Sequence, residues 1–125
     1  METGDEARAR KIALNQSTFR GANERIERAA QSHRFDADQG VPFICECADP
    51  DCNETVMLSL ADYEAVRAHA DRFFLLAGHE DAGESQERIL EAKQGYAVVE
   101  KTGTAGAEAE RLDPRDQAPS GDAAP

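Results

Sequence analysis

Apolar positions in the first thirty residues return with a helical period. Ile12, Phe19 and Ile26 recur every seven residues, and Ala22 and Ala29 fall on the same stripe. That recurrence predicts an amphipathic helix over about residues 5–31. Thr3 and Glu6 stand at capping-box spacing, so each side chain can serve an amide that the first turn leaves without a partner. The stripe is thin, and polar residues such as Asn15 interrupt its inner side. A helix of this kind must lie on its own domain, on a second copy of itself or on a partner protein.

"RFDADQGVP" breaks the helical pattern, and "PFICEC" and "ETVMLS" read as two strands joined by a loop. Ser59 and Asp62 repeat the capping spacing just before "LADYEAVRAHADRF", in which Leu60, Tyr63, Val66 and Ala70 share one helical face. "RFFLLAG" is a further short strand. "ERILEAKQGYAVVEK" reads as a hairpin turning at Gln94-Gly95, although "ESQERILEAK" is also good helix-forming material. From Thr102 onward the chain is Ala, Gly, Pro and charge with one Leu. So little apolar area cannot offset the entropy of ordering, and a disordered tail is expected.

With 125 residues, no Trp, five Phe and two Tyr, any core is small, and small domains often need a staple. "METGDEARAR" is charged from its second residue, and "FFLLA" falls far short of a membrane span, so a cytoplasmic protein without a membrane partner is expected. The net charge of -11 is uneven. Arg8 to Arg34 carries seven basic residues against two acidic ones, whereas Asp36 to Glu100 carries fifteen acidic against four basic. Mutual neutralisation or simple solvation is the plain account; a basic arm for an acidic partner is the sharper one.

All three cysteines, Cys45, Cys47 and Cys52, fall inside "FICECADPDCNE". In a reducing compartment an odd, clustered set points to metal rather than to disulfides. A strand turns residues i and i+2 to one face, so Cys45 and Cys47 point together. Asp49 and Pro50 suit the first two places of a β-turn that returns Cys52 to the pair and aims amides at the sulfurs. Three buried apolar thiols, or a redox pair, are the competing accounts. Zinc in a structural site takes four ligands. His69 lies off the apolar face of its helix and meets solvent, and His33 suits a helix C-terminus. His79 follows a strand and a glycine at "LLAGHE", at the mouth of a strand neighbouring the knuckle. It is favoured as fourth ligand over His33, an acidic residue or water. Iron or another thiophilic metal fits the same donors.

The segments "ALNQSTFRGANERI", "FICECADPDCNETVMLSLADYEAVRAHADRFFLLAGHE" and "YAVVEK" resemble a group of small uncharacterised bacterial proteins. The resemblance is carried by the CxCxDPxC segment, the LxxYExVR helix, the GHE and the VVEK strand. The resemblance spans about residues 10–101, and it implies that Cys45, Cys47, Cys52 and His79 form one pattern. It brings no activity with it.

The expectation is an α+β protein: a basic amphipathic helix at 1–34, a small zinc-stapled sheet with one further helix at 35–101, and a disordered tail at 102–125. A zinc with four protein ligands has no open position and is structural, which suits a binding or regulatory module with a protein partner or self-association through the first helix. Two alternatives stand beside it. A zinc hydrolase would enlist Glu46 or Glu80 as base, but no H-E-x-x-H, deaminase motif, phosphate loop or nucleophile elbow is present. A nucleic-acid reader would use Arg8, Arg10, Lys11, Arg20, Arg25 and Arg28, against an acidic body and few stacking aromatics.

Overall fold

A computed structural model describes residues 3–32, 40–80 and 86–115. Eight elements follow one another: α1 (Gly4–Ser32), β1 (Val41–Ile44), β2 (Thr55–Leu58), α2 (Leu60–Arg67), β3 (Arg72–Leu76), β4 (Glu87–Ala92), β5 (Tyr96–Lys101) and α3 (Gly103–Leu112). The fold is α+β, with a long N-terminal helix and two small antiparallel sheets. Strands β1 and β2 form one ribbon in the register Val41↔Leu58 to Ile44↔Thr55. Strand β5 lies between β3 and β4 in the other sheet. The hairpin reading of residues 87–101 holds: the Lys93 N–H donates to Tyr96 O at 2.8 Å, and Gly95 takes the positive φ of 89° that the turn requires. His33 and the segment that follows it lie outside the described residues.

Apolar alternation places Phe43 of β1, Phe74 of β3 and Tyr63 of α2 at the centre. Phe43 stacks on Tyr63 at 4.3 Å, and Phe74 meets both rings edge-on at 6.1 and 6.0 Å. Offset and edge-on pairs add about 0.5–1.5 kcal/mol each beyond the area they bury. The aromatic knot thus ties the two sheets to α2 at one point.

Helix α1 starts as its sequence requires. The Thr3 N–H donates to Glu6 Oε1 at 2.9 Å, and the Glu6 N–H donates to Thr3 Oγ1 at 3.0 Å. Its inward face, however, is not the expected stripe. Ile12, Phe19, Ala22 and Ile26 are only half-buried and Ala29 is exposed, while Ala13, Arg20, Asn23, Glu27 and Ala30, each one residue further on, are buried. One residue is about 100° of rotation. Hydrogen bonding explains the offset. Short strands leave backbone groups without ladder partners, and the polar side chains of α1 reach them. The Arg20 guanidinium donates to Ala70 O at 2.6 Å and to Arg72 O, and it stacks 3.7 Å above the Phe73 ring. Burial pulls its pKa down to about 10, against the pull of the Glu46 carboxylate, which leaves it a cation at neutral pH.

The expected disordered tail is corrected for its first part. Residues 103–112 form α3, whose Ala105, Gly106 and Ala109 are buried; Ala105 joins Ala9 and Ala13 of α1 in one cluster. Counting large apolar side chains missed it because this contact is made by small ones, which let two helices approach closely. Alanine is also the best helix former. A Cβ at Gly106 would stand 2.8 Å from Lys101 O, so the approach needs glycine. Gln86 Oε1 caps α3 from outside by accepting the Ala105 N–H at 2.9 Å. Beyond α3, Arg67 pairs with Asp113 at 2.6 Å and with Glu24 at 3.1 Å, and Arg115 reaches Glu24 at 2.9 Å and Glu64 at 2.7 Å. These ion pairs hold the end of α3 to both other helices.

Candidate metal centre

Strand β1 ends at Ile44, so Cys45 and Cys47 sit just past the strand that was expected to carry them. Backbone bonds still hold this short run extended. The Cys45 N–H donates to Glu54 O at 3.0 Å, and the Glu46 N–H donates to Phe74 O at 3.1 Å. The extension keeps the alternation: the two cysteines share a side, and Glu46 between them faces α1. The expected turn follows. Cys52 N–H donates to Asp49 O at 3.1 Å, and the Asp49 side chain accepts the Asp51 N–H at 2.9 Å. That reversal brings the third thiol back.

His79 arrives from the other sheet. Gly78, at φ 93°, lets the chain leave β3 sharply, and the His79 N–H donates to Leu76 O at 3.0 Å. Its Nδ1 lies 3.5 Å from Cys45 Sγ and 3.8 Å from Cys52 Sγ. All four potential ligand atoms, from Cys45, Cys47, Cys52 and His79, lie within 4.8 Å of one another. A four-coordinate ion with the usual bond lengths to sulfur and nitrogen places its ligands about 3.5–3.8 Å apart. The four side chains therefore form a cluster able to hold a metal ion. Among the other histidines, His69 is exposed and takes no part.

Burial dominates the electrostatics of the cluster. Burial pushes the Cys45 thiol far above the ordinary range, against a 3.3 Å hydrogen bond from the Leu76 N–H; the nearby thiols add to the rise. Burial also raises Cys47, while the Asp49 amide pulls it back. A metal is held by the thiolate, so an ion bound here would have to displace these protons.

Sequence reasoning missed what stands behind the cluster. Glu46 is fully buried, its pKa pushed up to about 7 by burial against the lowering effects of Arg20 and Asn23. Asn23 Nδ2 donates to Glu46 Oε2 and to Ile44 O, both at 2.9 Å, and Asn23 Oδ1 accepts the Ile44 N–H at 2.7 Å. Gln16 Nε2 donates to Glu46 O at 3.1 Å. One signal was present: Gln16, Arg20, Asn23 and Glu27 recur at helical spacing beside Ala9, Ala13 and Ala30, a face of small and polar residues too regular for solvent.

No protein-family model, curated protein or solved structure matches this chain. What the structure itself establishes is a small α+β fold with a Cys3His cluster able to hold a metal ion.

Proposed function

We propose that the protein is a structural-zinc module in which Cys45, Cys47, Cys52 and His79 hold one Zn²⁺ that joins the β1–β2 ribbon to the β3–β5–β4 sheet, and that it serves as a binding or regulatory unit. One observation carries this reading: the His79 imidazole, from a different sheet, sits 3.5 and 3.8 Å from two of the three sulfurs, at tetrahedral edge lengths. Four protein ligands close the coordination sphere. The two carboxylates that a hydrolytic reading would enlist are otherwise occupied, Glu80 by the Gly78 N–H at 3.0 Å and Glu46 by Asn23. Zinc of this type contributes on the order of 10 kcal/mol to folding, enough to stand in for a core short of large side chains. The partner surface belongs to the outward side of α1, where Leu14 is half exposed.

Metal analysis and melting curves test the proposal. Protein purified with zinc present should carry close to one zinc per chain, and Cys47→Ser should lose both the metal and most of the thermal stability. Clearly substoichiometric metal, or a Cys47→Ser melting curve that overlays the wild type, contradicts it.

A further inference from the structure

A cavity of about 310 Å³ lies away from the cysteine cluster, between α2 and the β4–β5 hairpin. It is at the small end of the range of roughly 300–1000 Å³ typical of ligand sites. Val66, Val98 and Leu90 supply apolar wall, and Arg72, Asp62 and Tyr96 supply polar groups. Leu90 is there because β4 bulges. Its register steps from Ile89↔Val99 to Glu91↔Val98, which leaves Leu90 without a partner; a bulge of this kind re-aims a side chain.

The charges in the cavity are of two kinds. Glu91 and Lys93 pair with each other at 3.3 Å and are both well exposed, so they neutralise one another at the rim. Arg72 and Asp62 do not pair. The Nε of Arg72 is buried and has no hydrogen-bond partner among the described residues, a situation that costs free energy; other atoms of this residue line the cavity. The Arg72 backbone is held by the Arg20 guanidinium, whose hydrogen bond its carbonyl accepts. Asp62, in the first turn of α2, gives its backbone N–H to Ser59 Oγ and keeps its carboxylate exposed at the rim. An anion alone would meet Asp62, and a cation alone would meet Arg72. A molecule carrying both charges meets neither objection.

We propose that this cavity binds a small zwitterion of the aliphatic α-amino-acid class. Arg72 donates to its carboxylate, Asp62 accepts from its ammonium, and Val66, Val98 and Leu90 receive its side chain. Tyr96, only 9% exposed, brings its ring to the cavity wall. The site does not depend on the zinc reading.

The test is an amide-detected NMR titration of the full-length, metal-loaded chain with L-leucine, N-acetyl-leucine and leucinamide. The three share one apolar body and differ in which charge they carry. Leucine should shift amides of residues 62–66, 72 and 90–98, and each single-charge analogue should bind at least about tenfold more weakly. Asp62→Asn leaves the backbone cap bond intact and should weaken leucine binding by a similar factor without changing the melting temperature; Arg72→Gln should do the same. Absence of shifts with all three compounds, as when water alone satisfies Arg72, overturns the proposal. So does N-acetyl-leucine binding as well as leucine, and so does full binding by both variants. Metal content measured on the same samples keeps a failure here distinct from a failure of the zinc assignment.

Discussion

Asn23→Ala separates two accounts of what seats the long helix, its apolar stripe or its polar face. Asn23 is fully buried and makes three hydrogen bonds, two to the Ile44 backbone and one to the Glu46 carboxylate. Truncation deletes all three. It also strands the Ile44 N–H on its partly buried strand and takes from Glu46 a donor that holds its charge. Each buried group left without a partner costs about 1–3 kcal/mol, and the bond to a charged acceptor lies toward the upper end. Allowing for partial entry of water at the half-buried Ile44, the sum is about 3–5 kcal/mol. That is a large part of the roughly 5–15 kcal/mol available to a small domain. Removing the half-buried Ile12 side chain with Ile12→Ala should cost less, about 1–2 kcal/mol. Urea unfolding followed by far-UV circular dichroism measures both, with zinc held in fixed excess because ligand concentration shifts apparent stability. A fall in the urea midpoint larger for Asn23→Ala than for Ile12→Ala is expected. If Asn23→Ala costs under about 1 kcal/mol, or less than Ile12→Ala, the polar face is not what holds α1.

Gly106→Ala should destabilise the protein by about 1–3 kcal/mol despite the better helix propensity of alanine, since the new methyl meets Lys101 O at 2.8 Å; a rise in melting temperature would show that α3 is not seated this closely. Glu27 concerns pH. Burial, with Glu64 beside it, raises its pKa from 4.5 to about 7. The folded chain therefore keeps a proton that the unfolded chain loses, and stability falls as pH rises from 4.5 to about 7 and is flat beyond. Glu27→Gln should flatten that decline, read as the difference between two melting-temperature profiles; parallel profiles refute it. Glu64, held down to about 2 by its hydrogen bonds with Arg115, runs the other way. Its contribution is present above 4.5 and disappears as pH falls through about 2, so Arg115→Ala should matter at neutral pH and cease to matter in strong acid. Chelation of the wild type should reproduce the Cys47→Ser melting curve, and a stable chelated chain would detach the metal from the fold.

The cysteine–histidine cluster was the most legible part of the chain because its information is local. Three thiols within eight residues, an Asp-Pro turn between them and a glycine ahead of His79 all act over a few bonds. The hairpin and both capping pairs were legible for the same reason. What escaped was long-range and made of unexpected residue types. Hydrophobic periodicity located α1 correctly and rotated it wrongly, since the residues that bury deepest include Gln16, Arg20 and Asn23, whose partners are backbone groups dozens of positions away. Helix α3 escaped because Ala105, Gly106 and Ala109 gain by closeness rather than by size, and no scale of side-chain hydrophobicity registers closeness.

The run from Ile44 to Cys47 is gripped from two sides, its odd-numbered side chains by the cluster and Ile44 and Glu46 by the polar residues of α1. Such a run tolerates exchange of some residues but not a change in their number. One residue added or lost between Cys45 and Cys47 would turn a thiol toward Asn23 and a carboxylate toward the other ligand side chains, undoing both attachments at once. Relatives that keep this fold should therefore vary the spelling of the turn after Cys47 far more freely than the count of residues before it.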